Sequence, residues 1–176
     1  MSATRVFGRA ATIAATVCLI GLVAWAGPFA RSPTKISDTD RSLARIKRIE
    51  LIVDPLPRQI HDVRLSVETI RKSIANDLRD AGYEIVTAED APKLGVLVSA
   101  VTDPKVPGGI AFTINMVLNQ RATIERLDES LLVPTHAQVI LGLEAKQNLR
   151  GAVKTTIDQM TDRWIRIVRV ATANRD

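Results

Sequence analysis

Cysteine is almost missing from this chain. Its single thiol, Cys18, lies inside an apolar run near the N-terminus and is followed by Leu19-Ile20-Gly21-Leu22, not at the end of the run where a lipid-modified cysteine sits. Beyond it there is no thiol for disulfides, soft-metal binding or nucleophilic catalysis, so the domain rests on its hydrophobic core. Aromatic residues are scarce as well. After residue 30 only Tyr83, Phe112 and Trp164 occur, too scattered to make a base-stacking platform. A dominant charge sign is lacking too: the formal charge is +5, and setting aside Arg5 and Arg9 leaves 22 Lys+Arg against 19 Asp+Glu, or +3. That mixed balance, without a basic run, speaks for solubility and against nucleic-acid binding.

Familiar catalytic spacings are also wanting. Ser66, Ser99 and Ser130 have no G-x-S-x-G context, and Gly108-Gly109 lacks the Gly-x-Gly-x-x-Gly spacing and leads into a strand, so it cradles no phosphate. No internal repeat or low-complexity stretch is visible. No cofactor is expected.

What is present is enough to fold. Apolar residues make up 46% and charged residues 24%, a globular composition for one core. Arg5 and Arg9 precede an uncharged run over residues 10–30, and Ala24-Trp25-Ala26 fits the small-residue cleavage rule. The same run is just long enough for an uncleaved anchor, although Ala, Thr and Gly dilute it and Pro28 breaks its end. Residues 1–26 are therefore a signal peptide or membrane anchor. Either way the domain is delivered across a membrane, to the periplasm or the periplasmic side of the inner membrane, with a possible tether through residues 10–30. Residues 27–44 mix Pro, Ser, Thr and alternating charges without a period and read as a linker; residues 45–176 read as one domain.

The clearest periodic stretch is residues 110–120. Ile110, Phe112, Ile114, Met116 and Leu118 point one way, and Ala111, Thr113, Asn115, Val117 and Asn119 the other, as in a strand with one buried face. Before it, Ile49, Leu51 and Val53 form a first strand ended by Asp54-Pro55-Leu56-Pro57. Ser66 caps a helix over residues 67–81, whose stripe is Val67, Ile70, Ile74, Leu78 and Ala81 and whose end is Gly82. Residues 83–86 are a short extended piece and residues 94–102 a second long strand. Two prolines and two glycines make residues 103–109 an exposed connection. Residues 121–128 extend the strand past the core, and pairing lapses over residues 129–135 because Pro134 has no amide hydrogen. Residues 137–145 form the next strand, with Val139, Leu141 and Leu143 on one face. Asn148 caps a final helix with the stripe Leu149, Val153, Ile157, Met160, Trp164, Val168 and Ala171.

Two helices with one apolar stripe each cover one face of a sheet this size. The fold class is α+β: a two-layer sandwich, mostly an antiparallel four-stranded sheet with two amphipathic helices on one face. If the helices cover Phe112, Ile114 and Met116, the opposite face carries Ile52, Leu97, Val101, Val117 and Ile140 among Ser99, Thr113, Asn115 and Asn119. That is more apolar than a solvated face needs to be, and marks a surface for an envelope protein partner or for self-association through the face or an edge strand.

Rival sites are thinner. His61 and His136 with Asp62 are a ligand set that catalytic zinc uses, which would make a metal-dependent or acid/base hydrolase, but no H-x-x-x-H spacing joins them. Glu125, Asp128 and Glu129 read as a solvated charge run, and Pro107-Gly108-Gly109 as a connector. A small apolar ligand between sheet and helices is a further option with little in its favour.

The run Leu78-Arg79-Asp80-Ala81-Gly82-Tyr83-Glu84-Ile85-Val86, followed by a strand meander and a long terminal helix, resembles small exported bacterial proteins of uncharacterised function, in which such a helix end runs straight into a short strand. The resemblance implies a Schellman-type helix end and an envelope location, and no catalytic activity.

Overall fold

In a computed structural model of the protein, residues 41–173 are described; the expected leader, and the linker up to residue 40, lie outside them. Ile49, Leu51 and Val53 alternate inward along β1 (Arg48–Val53), and the two prolines beyond it end the strand. A single helical turn follows, α1 (Arg58–His61), too short to show a period in the sequence, and it seats Ile60 in the core. Helix α2 (Val67–Asp80) starts where the cap places it: the Ser66 hydroxyl oxygen accepts the Thr69 amide at 3.1 Å. It ends as a Schellman motif. Gly82 takes φ +94°, its N–H donates to the Arg79 carbonyl, and the Tyr83 N–H donates to that of Leu78.

That helix end aims the chain at the sheet. Glu84 and Ile85 form β2 (Glu84–Ile85), pairing in parallel with Arg48 and Ile49. The sheet therefore has five strands, not the expected four. The remaining elements are β3 (Lys93–Thr102), β4 (Gly109–Ile124), β5 (Glu129–Ala145) and α3 (Lys146–Ala173), and the strand order is β2-β1-β3-β4-β5. β1 lies parallel to β3, and β3, β4 and β5 form the antiparallel meander. Helix α3 begins directly from β5, so Asn148 sits inside its first turn and is not its cap.

Helices α2 and α3 pack on one face of the sheet. All seven residues of the expected α3 stripe are buried, with Trp164 tilted against Tyr83 at 5.2 Å between ring centroids. Beneath them lie Leu94, Val96 and Val98 of β3 and the inward row of β4 from Ile110 to Leu118. Leu43 and Ala44, assigned to the linker by composition, are buried in the same core, so packed structure begins before residue 46. The described residues belong to one unit, and none of their helices is long and apolar enough to cross a membrane.

The expected lapse in pairing does not occur. The β4–β5 ladder runs from Ile124 opposite Glu129 to Asn119 opposite Pro134, then shifts by one residue so that Leu118 faces His136. Thr135 is the extra residue of a β-bulge, and its hydroxyl donates to Gln120 Oε1 at 2.7 Å. Pro134 is tolerated because β5 is an edge strand and the bulge adjoins it. Counting back from the hairpin without the bulge would put Val139 and Leu141 on the helix-covered face. The one-residue slip turns every later side chain over. Ile140 then faces Ile114, Gly142 faces Phe112, and Val139, Leu141 and Leu143 turn to the opposite side.

Candidate functional site

The face of the sheet away from the helices is built in rows set by strand register. Ile52, Gly95, Val117 and Ala137 make one row; Leu97, Asn115 and Val139 the next; then Ser99, Thr113 and Leu141; then Val101, Ala111 and Leu143. Its apolar side chains are open to solvent: Ile52 36%, Leu97 43%, Val101 64%, Val139 63%, Leu141 75% and Leu143 67%. Among the described residues no helix or loop covers them. At one end the surface closes on a charged pair, Lys93 Nζ to Glu50 Oε2 at 3.2 Å, from adjacent strands. Near the centre, the Asn115 side-chain oxygen is enclosed by its neighbours and accepts no hydrogen bond.

Of the five residues expected here, Ile52, Leu97 and Val101 are present and exposed, and Val117 is present and half-buried. Ile140 is not. It lies on the helix-covered face, packed against the core, because the Thr135 bulge reverses β5. Its place is taken by Val139, Leu141 and Leu143, which share one face of the strand as the alternation predicts and lie on the side opposite Ile140. The residues signalling the reversal are Pro134 and Thr135, and neither encodes a bulge by itself.

No protein-family model matches the chain, and no curated relative matches its sequence. Two solved structures align with it over most of their length. Rare lipoprotein B from Shewanella oneidensis is 13% identical, with 73% of this chain and 98% of that one covered and a TM-score of 0.39. A minor lipoprotein from Acinetobacter baumannii is 13% identical, with 74% and 93% covered and a TM-score of 0.34.

The rival catalytic set is not assembled. Asp62 lines a groove of about 330 Å³ beside Thr102 and Ile110, whereas His136 sits opposite Leu118, whose other neighbour is Leu94. Leu94 and Thr102 stand at opposite ends of β3, roughly 26 Å apart at the strand rise. Among the described residues no three of His, Cys, Asp and Glu gather as metal ligands would. In that groove the Asp103 carboxylate is spent on its own loop, accepting the Lys105 amide at 2.8 Å, which suits a connector. Glu125, Asp128 and Glu129 occupy the exposed hairpin tip, where Asp128 adopts φ +51° to make the turn.

The outer edge of β5, which no other described strand pairs with, belongs to the same surface. β5 is the last strand of the sheet, and between Ser130 and Leu143 it carries no Lys, Arg, Asp or Glu. Edge strands are ordinarily guarded by charge, proline or a bulge. Here the proline and bulge both fall in the first half of β5, ahead of Val139.

Proposed function

We propose that this chain is a non-catalytic binding module of the bacterial cell envelope, carried across the inner membrane by its N-terminal apolar segment, and that it engages a protein partner through the open face of its sheet. The observation that carries the reading is the set of exposed apolar side chains, Leu97 and Val101 on β3 and Val139, Leu141 and Leu143 on β5, which flank Asn115, Thr113 and Ala111 of β4 on a face that α2 and α3 leave bare. A solvated sheet face alternates toward polar residues, whereas an apolar one gains free energy by covering itself with a complementary surface. Metal or acid/base chemistry on His61, Asp62 and His136 finds no support in the geometry, since the sheet holds His136 at the end opposite to His61 and Asp62.

The test is capture of partners by the tagged full chain from detergent-solubilised membranes. Leu97→Asp places a charge on the exposed face and is expected to abolish stoichiometric capture while leaving the circular dichroism spectrum unchanged. His61→Ala and His136→Ala are expected to capture as the parent does. Retention of the partner by Leu97→Asp, or its loss in the histidine variants, would overturn the reading.

A further inference from the structure

Over residues 137–145 the outer edge of β5, unpaired among the described strands, has a symmetry that points to an occupant. On the open face the side chains run Ala137, Val139, Leu141, Leu143, Ala145: small at both ends, large in the middle, centred on Leu141. A strand that meets a copy of itself about a two-fold axis pairs antiparallel, and residues directly opposite must share a face. Centring the axis on Leu141 puts Leu141 opposite its own copy, Val139 opposite Leu143, and Ala137 opposite Ala145. On the other face the same register sets Ile140 against Gly142, which has no side chain, and Gln138 against Glu144. The only carboxylate in the paired stretch thus meets an amide and not its own copy.

We propose that the edge of β5 over residues 137–145 pairs antiparallel with the same edge of a second copy of this chain, joining two five-stranded sheets into one. This rests on the reading of the open face as a contact surface and names what occupies its margin. Three observations favour a second copy over an unrelated strand. The size pattern is self-complementary about one residue. The stretch carries no charge from Ala137 through Leu143, so like meets like without repulsion. The edge-blocking devices, Pro134 and the Thr135 bulge, both precede residue 137, which leaves residues 137–143 unguarded where the strand matches itself. Pairing also brings the two Val139–Leu141–Leu143 rows side by side, so the apolar patch becomes continuous across the axis.

Leu141→Cys in the full chain with Cys18→Ala tests the register. Opposed Cα atoms in an antiparallel pair lie about 4.5–5.5 Å apart, within disulfide reach. Mild oxidation of membranes containing this variant is expected to give a covalent dimer, and Val101→Cys, two strands in from the edge, is expected to give none. In sedimentation equilibrium the purified parent chain is expected to be a dimer. Leu141→Lys, which opposes two ammonium groups at the axis, should weaken it at least about tenfold. Leu141 is exposed, so the variant keeps its fold, which its melting curve checks. A parent chain that stays monomeric would overturn the pairing, as would a dimer cross-linked through Val101→Cys and not Leu141→Cys, the signature of face-to-face stacking. A monomer that still captures another protein, lost in Leu97→Asp, would sink the second copy and leave the binding-module reading standing. Failure of capture itself would sink that reading.

Discussion

Gly142 lies across the ladder from Phe112, and the ring of Phe112 fills the space a side chain at 142 would take: a Cβ built there collides with the ring carbons. Phe112 is itself buried, so it has nowhere to swing. Gly142→Ala is therefore expected to destabilise the domain by about 1–3 kcal/mol through overpacking, read as a lower urea midpoint at unchanged slope. Gly151, on the exposed side of α3 with nothing near its would-be Cβ, supplies the opposite case. There alanine is expected to stabilise by roughly 0.5–1 kcal/mol, since a mid-helix glycine loses more chain entropy on folding. The same exchange of ring for side chain explains Ile140 and Leu141. The Phe112 ring leaves no room for a side chain opposite it, so the row of β5 that carries Gly142 goes in and the row of Val139, Leu141 and Leu143 goes out.

Helices α2 and α3 meet along a seam that carries more negative charge than it balances. The Ser73 hydroxyl donates to Asp158 Oδ1 at 3.3 Å across the seam, and Lys154 reaches Asp158 Oδ2 at 2.6 Å along α3. Asp77 faces this group. Partial burial pushes its carboxyl above the ordinary value, and the charges of Asp158 and Asp162 push it the same way, against the opposing pull of Lys154. The folded state thus holds this proton more tightly than the unfolded chain does. The resulting stability is fully present below the unfolded value and is lost as pH rises through the folded one, so at neutral pH the ionised carboxylate works against folding. Asp77→Asn is expected to raise the melting midpoint at pH 7, with the advantage fading as the pH falls through the raised folded value and gone below about 4, the unfolded one. An equal shift at pH 7 and pH 3 would show that packing, not charge, is responsible.

For the whole molecule, the described residues form two layers, with one face of the sheet covered by α2 and α3 and the other open, and under the proposed function the N-terminal segment sets the compartment in which the open face meets its partner. Export with cleavage after Ala26 predicts a mature chain beginning at Gly27. The intact mass of protein recovered from the producing cell checks this: loss of the first 26 residues identifies a leader, and the full mass with membrane retention identifies an anchor. Under the proposed function both outcomes put the domain outside the cytoplasm; recovery of the intact chain from the cytosol would contradict that placement.

Local pattern alone determined much of this protein. The two amphipathic stripes, the Ser66 cap, the Gly82 helix end and the alternation of β1, β3 and β4 follow from periodicity and from a few residues with narrow backbone preferences, and so does the one-sided sandwich they compel. The turn α1, too short to hold a period, left no such trace; residues 83–86 read as extended without showing that they pair with β1, and Leu43 reads as linker because one buried leucine makes no pattern. The composition of the open face was decided by tertiary structure. Whether Ile140 or Leu141 points at the helices depends on one extra residue at Thr135, where β5 accommodates Pro134 while keeping its pairing with β4. A strand's alternation says which residues share a side and never which side it is. That choice belongs to the register, which is settled only when the neighbouring strand, its aromatic ring and the covering helices are all in place.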